Sequence, residues 1–104
     1  MSILEGVLKE ELERIQKNIN SYERALADLP KGYLFNQKIN GQLYCYRKRR
    51  EGDKIVSTYI GPAESDEAKK ASAEYSERKR IEGNLRSLKK EEARLLKVLR
   101  HYGD

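Results

Sequence analysis

At Asn40-Gly41 the chain is committed to reversing, because a two-residue type I′ turn needs positive φ at both central positions and Asn-Gly meets that need best. Strands must then leave on both sides. The spacing predicts Tyr33 to Ile39 as one strand and Gln42 to Arg50 as its antiparallel partner. Position 39 then faces 42, 37 faces 44 and 35 faces 46. Glu51-Gly52-Asp53 marks a second turn, and Lys54 to Ile60, rich in β-branched residues, reads as a third strand closed by Gly61-Pro62.

On either side of this meander the apolar period changes from two to an alternation of three and four. Leu8, Leu12, Ile15, Ile19, Tyr22, Leu26 and Leu29 form an unbroken heptad stripe, extended by Ile3, Leu4 and Val7. Leu29-Pro30 ends it, since the residue before a proline is disfavoured in the α region, so the first helix is expected from about Ile3 to Asp28. Ser65, followed by Asp66 and Glu67, reads as an N-cap with carboxylates at the positive end of a helix dipole. That second helix should run to about His101. Its apolar side begins with Ala68, Ala71, Ala73 and Tyr75 and continues through Ile81, Leu85, Leu88, Leu95, Leu96, Leu99 and Tyr102. Small residues let a sheet approach closely, whereas a leucine stripe suits another helix.

At about 1.5 Å per residue the helices span roughly 40 and 60 Å, so the second must overhang the first. The expected fold class is α+β. It is a long antiparallel, coiled-coil-like helical hairpin with a three-stranded antiparallel β-meander inserted between the helices. A single domain over 1–104 is expected, with helix 1 in 1–29, a basic β-cap in 30–62 and helix 2 in 63–102. Charged residues equal hydrophobic ones at 38% each, which leaves little apolar surface for a monomeric core. The broad C-terminal stripe therefore predicts a homodimer through the stems, a four-helix bundle using Leu8, Leu12, Ile15, Leu88, Leu95, Leu96 and Leu99.

Charge is unevenly placed. Residues 31–61 carry 7 basic and 2 acidic groups, a net +5 equal to that of the whole protein, while 1–30 (4 and 6) and 62–104 (11 and 9) cancel. A polyanion would be drawn to the middle segment. Parity then sorts that segment into two faces. One collects Tyr33, Phe35, Gln37, Ile39, Gln42, Tyr44, Tyr46, Lys48 and Arg50. The other collects Leu34, Asn36, Lys38, Leu43, Cys45, Arg47 and Arg49. A two-residue Gly52-Asp53 turn adds Ile55, Ser57 and Tyr59 to the aromatic face and Val56, Thr58 and Ile60 to the aliphatic one; a three-residue loop exchanges the sets. The preferred arrangement packs the aliphatic face on the alanine-rich start of the second helix and turns the rings outward, where basic groups and aromatics together suit phosphates and bases. The alternative makes the aromatics the core and leaves the arginines to solvate a sheet edge.

The segments LPKGYL, NGQLYCY and STYIGP, over Leu29 to Pro62, resemble a group of short, uncharacterised bacterial proteins often associated with mobile elements. The group implies the architecture and carries no settled activity. A looser resemblance, through the Tyr and Arg of the middle strand and a helix opening Ser-Asp-Glu-Ala, is to the AP2-like arm-binding domains of tyrosine recombinases, which insert a sheet in the DNA major groove. That resemblance implies Tyr44, Tyr46, Arg47, Lys48, Arg49 and Arg50 as DNA contacts, with Lys38 and Lys54 on the flanking strands. This chain departs from it in lacking a sheet Trp and in adding a long helix in front.

Other chemistry finds little support. Cys45 is the one cysteine, so no intramolecular disulfide is expected and a reducing compartment fits. It reads as a strand residue, although Arg47 nearby could activate a thiol. His101 is the single histidine, no glycine-rich phosphate loop occurs, and no spacing suggests a metal, so neither an enzyme nor a cofactor is expected. No apolar run is long enough to span a bilayer and no signal-peptide core is seen, which predicts a cytoplasmic protein without a membrane partner. Three functions need the same residues. The first is a nucleic-acid-binding accessory protein, the second a protein-interaction adaptor or inhibitor, and the third an oligomeric nucleotide- or anion-binding protein.

Overall fold

A computed structural model of the chain describes residues 2–103. The element order is α1 (Ile3–Ala27), β1 (Tyr33–Ile39), β2 (Gln42–Glu51), β3 (Lys54–Pro62) and α2 (Asp66–Gly103). The fold is α+β, with two helices flanking an antiparallel sheet of order β1-β2-β3. Two compact units result. One is helical and takes residues up to Asp28 and from Arg80 onward; the other is the sheet unit, Leu29–Lys79.

In the helical unit α1 starts at Ser2, whose hydroxyl accepts the backbone N–H of Glu5 at 3.0 Å. It stops at Asp28, whose N–H reaches the carbonyls of Ala25 and Leu26. The heptad stripe does what its spacing demands. Ile15 and Ile19 of α1 and Leu85 of α2 are buried together, with Tyr22, Leu26, Leu88 and Leu95 packed around them. The helices run antiparallel: Asn18 and Tyr22 share a cleft with Asn84, Ser87 and Leu88, while Glu11 and Ile15 share one with Glu91, Arg94 and Leu95. On the surface Arg14 donates two hydrogen bonds to Glu11, the Nε bond at 2.9 Å. Those bonds, and then the charge of Arg14, hold the Glu11 carboxyl below the ordinary glutamate range. Arg14 is raised reciprocally, by Glu11 first and with a contribution from Glu91. Both groups face water, so the pair orients side chains more than it stabilises the fold.

In the sheet unit Asn40 and Gly41 take φ of 51° and 84°, positive at both central positions as a type I′ turn requires. Ile39 accordingly pairs with Gln42, Gln37 with Tyr44 and Phe35 with Tyr46. The second turn has two residues. Glu51 pairs with Lys54, and Gly52 alone takes positive φ, 61°, as the first position of a type II′ turn requires. Ile55, Ser57 and Tyr59 therefore join the aromatic face. Near its end β3 departs from expectation: Tyr46 faces Tyr59 but Cys45 faces Gly61, so a β-bulge leaves Ile60 unpaired and Gly61 takes the aliphatic position assigned to it.

Two glycines are required by close approach. A Cβ on Gly61 would lie 2.8 Å from Ser65 Oγ. That hydroxyl caps α2, accepting the Ala68 N–H at 3.2 Å and donating to the Pro62 carbonyl at 2.7 Å. A Cβ on Gly32 would lie 2.1 Å from the Lys48 carbonyl oxygen, at a φ of +97° that L-residues rarely adopt. Arg78 Nη1 donates to the Leu29 carbonyl at 3.4 Å, tying the start of the unit to α2.

The sheet rests its aliphatic face on α2. Cys45, Ala68 and Ala71 are each 4% exposed, and a cleft of about 280 Å³ between the elements is lined by Leu34, Cys45, Ala68, Ser72 and Tyr75 among others. Ala73 is exposed. It does not join this contact as its place in the alanine run implies, because two residues beyond Ala71 the helix has turned to its opposite side.

Candidate functional site

With Cys45 turned to α2, the aromatic residues of the sheet fall on its other face. On that outward face the register aligns Phe35, Tyr46 and Tyr59 in a row across all three strands. Phe35 and Tyr46 stack, with centroids 5.4 Å apart and planes 21° from parallel. Tyr46 meets Tyr59 at 5.4 Å and 59°. Tyr44 joins Tyr59 at 6.3 Å, and its hydroxyl donates to Gln42 Oε1 at 3.0 Å. Tyr33 and Tyr59 are 47% and 52% exposed, whereas Phe35, Tyr44 and Tyr46 are half-buried. On the other side of the row stand Lys48, paired with Tyr33 and Ser57, and then Arg50, paired with Ile55. The Lys48 ammonium lies 4.5 Å over the Phe35 ring, a cation–π contact that leaves its charge beside the ring row.

The eight expected contact residues do not form one patch. Tyr44, Tyr46, Lys48 and Arg50 share the outward face. Lys38, Arg47, Arg49 and Lys54 belong to the face that carries Leu34 and Cys45. There Arg49 pairs with Glu51, Arg47 is half-buried, and Lys38 and Lys54 are exposed. The expected set omits Phe35, although the Asn-Gly register places it opposite Tyr46. Tyr59 depends on the length of the second turn. Of the expected stem contacts, Leu8, Leu12, Leu88, Leu95 and Leu99 are half-buried and Leu96 is exposed, whereas Ile15 is 1% exposed. Ile15 is therefore core of the helical unit and has no surface to offer another chain.

Cys45 is buried against the helix. Among the described residues no group of His, Cys, Asp or Glu is arranged to hold a metal ion, and no helix is long and apolar enough to cross a membrane.

The family model described as Domain of unknown function (DUF6788) matches residues 8–70. The chain belongs to that family. The DUF6788 match takes in α1 from Leu8, the whole meander and the first turn of α2. It includes both glycines whose Cβ would collide, Gly32 and Gly61, and the complete ring row. No curated protein and no solved structure matches this DUF6788 chain.

Proposed function

We propose that this DUF6788 protein binds nucleic acid through the outward face of its sheet, with Phe35, Tyr44, Tyr46 and Tyr59 meeting bases or sugars and Lys48 and Arg50 meeting phosphates. One observation carries the reading: the face left uncovered by α2 is the one where a continuous ring row adjoins two cations. Cross-strand ring pairs also stabilise the sheet itself, and it is the two cations beside them that suit the face to a phosphate-bearing ligand. The field adds to it, since residues 31–61 carry the net +5. An AP2-like mode, with the sheet laid in a DNA groove, is one geometry that this reading admits.

Salt dependence tests it. With only a few phosphate contacts, affinity for a labelled oligonucleotide should fall roughly tenfold to a hundredfold between about 50 and 200 mM salt. Binding that is indifferent to salt, or no binding at low ionic strength, removes the reading and favours a protein partner.

A further inference from the structure

The chemistry of the outward face separates two kinds of nucleic acid. In a duplex the flat faces of the bases are hidden in the stack and only their edges reach the grooves, where they are read by hydrogen-bonding side chains. The middle of this face is instead a row of rings, Phe35, Tyr46 and Tyr59, and Phe35 has no hydrogen-bonding group at all. Rings of this kind engage the π-faces of unstacked bases.

The cations agree. A sheet seated in a groove lies between two phosphate backbones and is best served by positive charge on both flanks. On this face Lys48 and Arg50 both follow the ring row on one side, at successive outward positions of β2 about 7 Å apart. The remaining basic residues of the meander, Lys38, Arg47, Arg49 and Lys54, belong to the opposite face. The charges thus lie on one side of the ring row only, stepping away from it along β2, which suits a single backbone with its bases turned to the protein.

We propose, resting on the nucleic-acid reading above, that the ligand is single-stranded. Bases stack on Tyr59, Tyr46 and Tyr33, and Lys48 and Arg50 hold phosphates on the side of the ring row where Tyr33 stands. Tyr59 and Tyr33 supply open ring surface, while Phe35 and Tyr46 hold each other and the Lys48 ammonium in place.

Fluorescence anisotropy with the full chain and a labelled single strand of about 12 nucleotides, alone and annealed to its complement at the same salt, decides the matter. The single strand is expected to bind about tenfold or more tighter than the duplex. Tyr59→Ala should weaken it by about tenfold, and Tyr59→Phe, which keeps the ring, by much less. Tyr59 is half exposed, so circular dichroism of both variants should match the parent. A duplex bound as tightly as the single strand overturns the proposal and leaves nucleic-acid binding standing. Equal loss in the Ala and Phe variants, or none in either, also overturns it, because the ring then carries nothing. Failure to bind either form removes both readings.

Discussion

Gly32→Ala is expected to lower the stability of the sheet unit by about 3 kcal/mol or more, a large share of an ordinary margin of about 5 to 15 kcal/mol. The new Cβ would sit 2.1 Å from the Lys48 carbonyl oxygen and 3.0 Å from Arg49 Cβ. The first obstacle is backbone of the central strand, which cannot withdraw without breaking its pairing on either side. The φ of +97° adds strain of its own for any residue with a side chain. Gly41→Ala is the matched control, since it too has positive φ, +84°, but nothing within 4 Å of the added carbon. It should cost about 1 kcal/mol. Urea unfolding followed by circular dichroism separates the two; equal losses would mean that the chain relieves the Lys48 contact cheaply.

Ile15→Ala should be the most damaging single truncation in the helical unit, at about 3 to 4 kcal/mol. Ile15 is 1% exposed and belongs to a small core with Ile19 and Leu85, so few neighbours can close over the space it leaves. Leu96 is 43% exposed. Its truncation to alanine should cost under about 1 kcal/mol in the folded chain. Helical signal during thermal unfolding would show both. A larger loss for Leu96 than for Ile15 would place the energetic centre at the surface, as a stem interface requires.

Much of this fold can be read from local signals. Asn40-Gly41 dictates a turn and, through it, the register of two strands. The alternation of three and four from Leu8 to Leu26 dictates which side of α1 is buried, and Ser65 is recognisable as a cap. These succeed because each cause lies within a few residues of its effect. The bulge at Ile60 is not legible, since the period-two pattern of β3 carries no sign of the extra residue that precedes Gly61, where the strand end approaches Ser65. Gly32 belongs to the LPKGYL motif, but its reason is a carbonyl sixteen positions away. The composition of the two sheet faces does not decide which is covered, because each is half apolar. Size favours the face observed, because the small Ala68 and Ala71 leave room for Leu34 and Cys45.

The candidate site is legible in the sequence as a charge excess and, through strand parity, as a division of that charge between two faces. The basic run Arg47 to Arg50 is continuous in sequence, yet strand parity divides it. The outward face thereby gains Lys48 and Arg50, and the covered face Arg47 and Arg49. Counting charge alone treats the four as one surface; what sequence leaves open is whether Tyr59 shares a face with Lys48 and Arg50, which the two-residue second turn fixes.

Two double variants that remove equal charge therefore test the outward face most directly. Lys48→Ala with Arg50→Ala strips the outward face, and Lys38→Ala with Lys54→Ala strips the same number of charges from the other. Binding of one labelled oligonucleotide at fixed salt should fall by about tenfold or more in the first and by less than about threefold in the second. Equal losses would mean that the protein offers only a diffuse positive field, and a greater loss in the second would place the ligand on the wrong side of the sheet for the rings to matter.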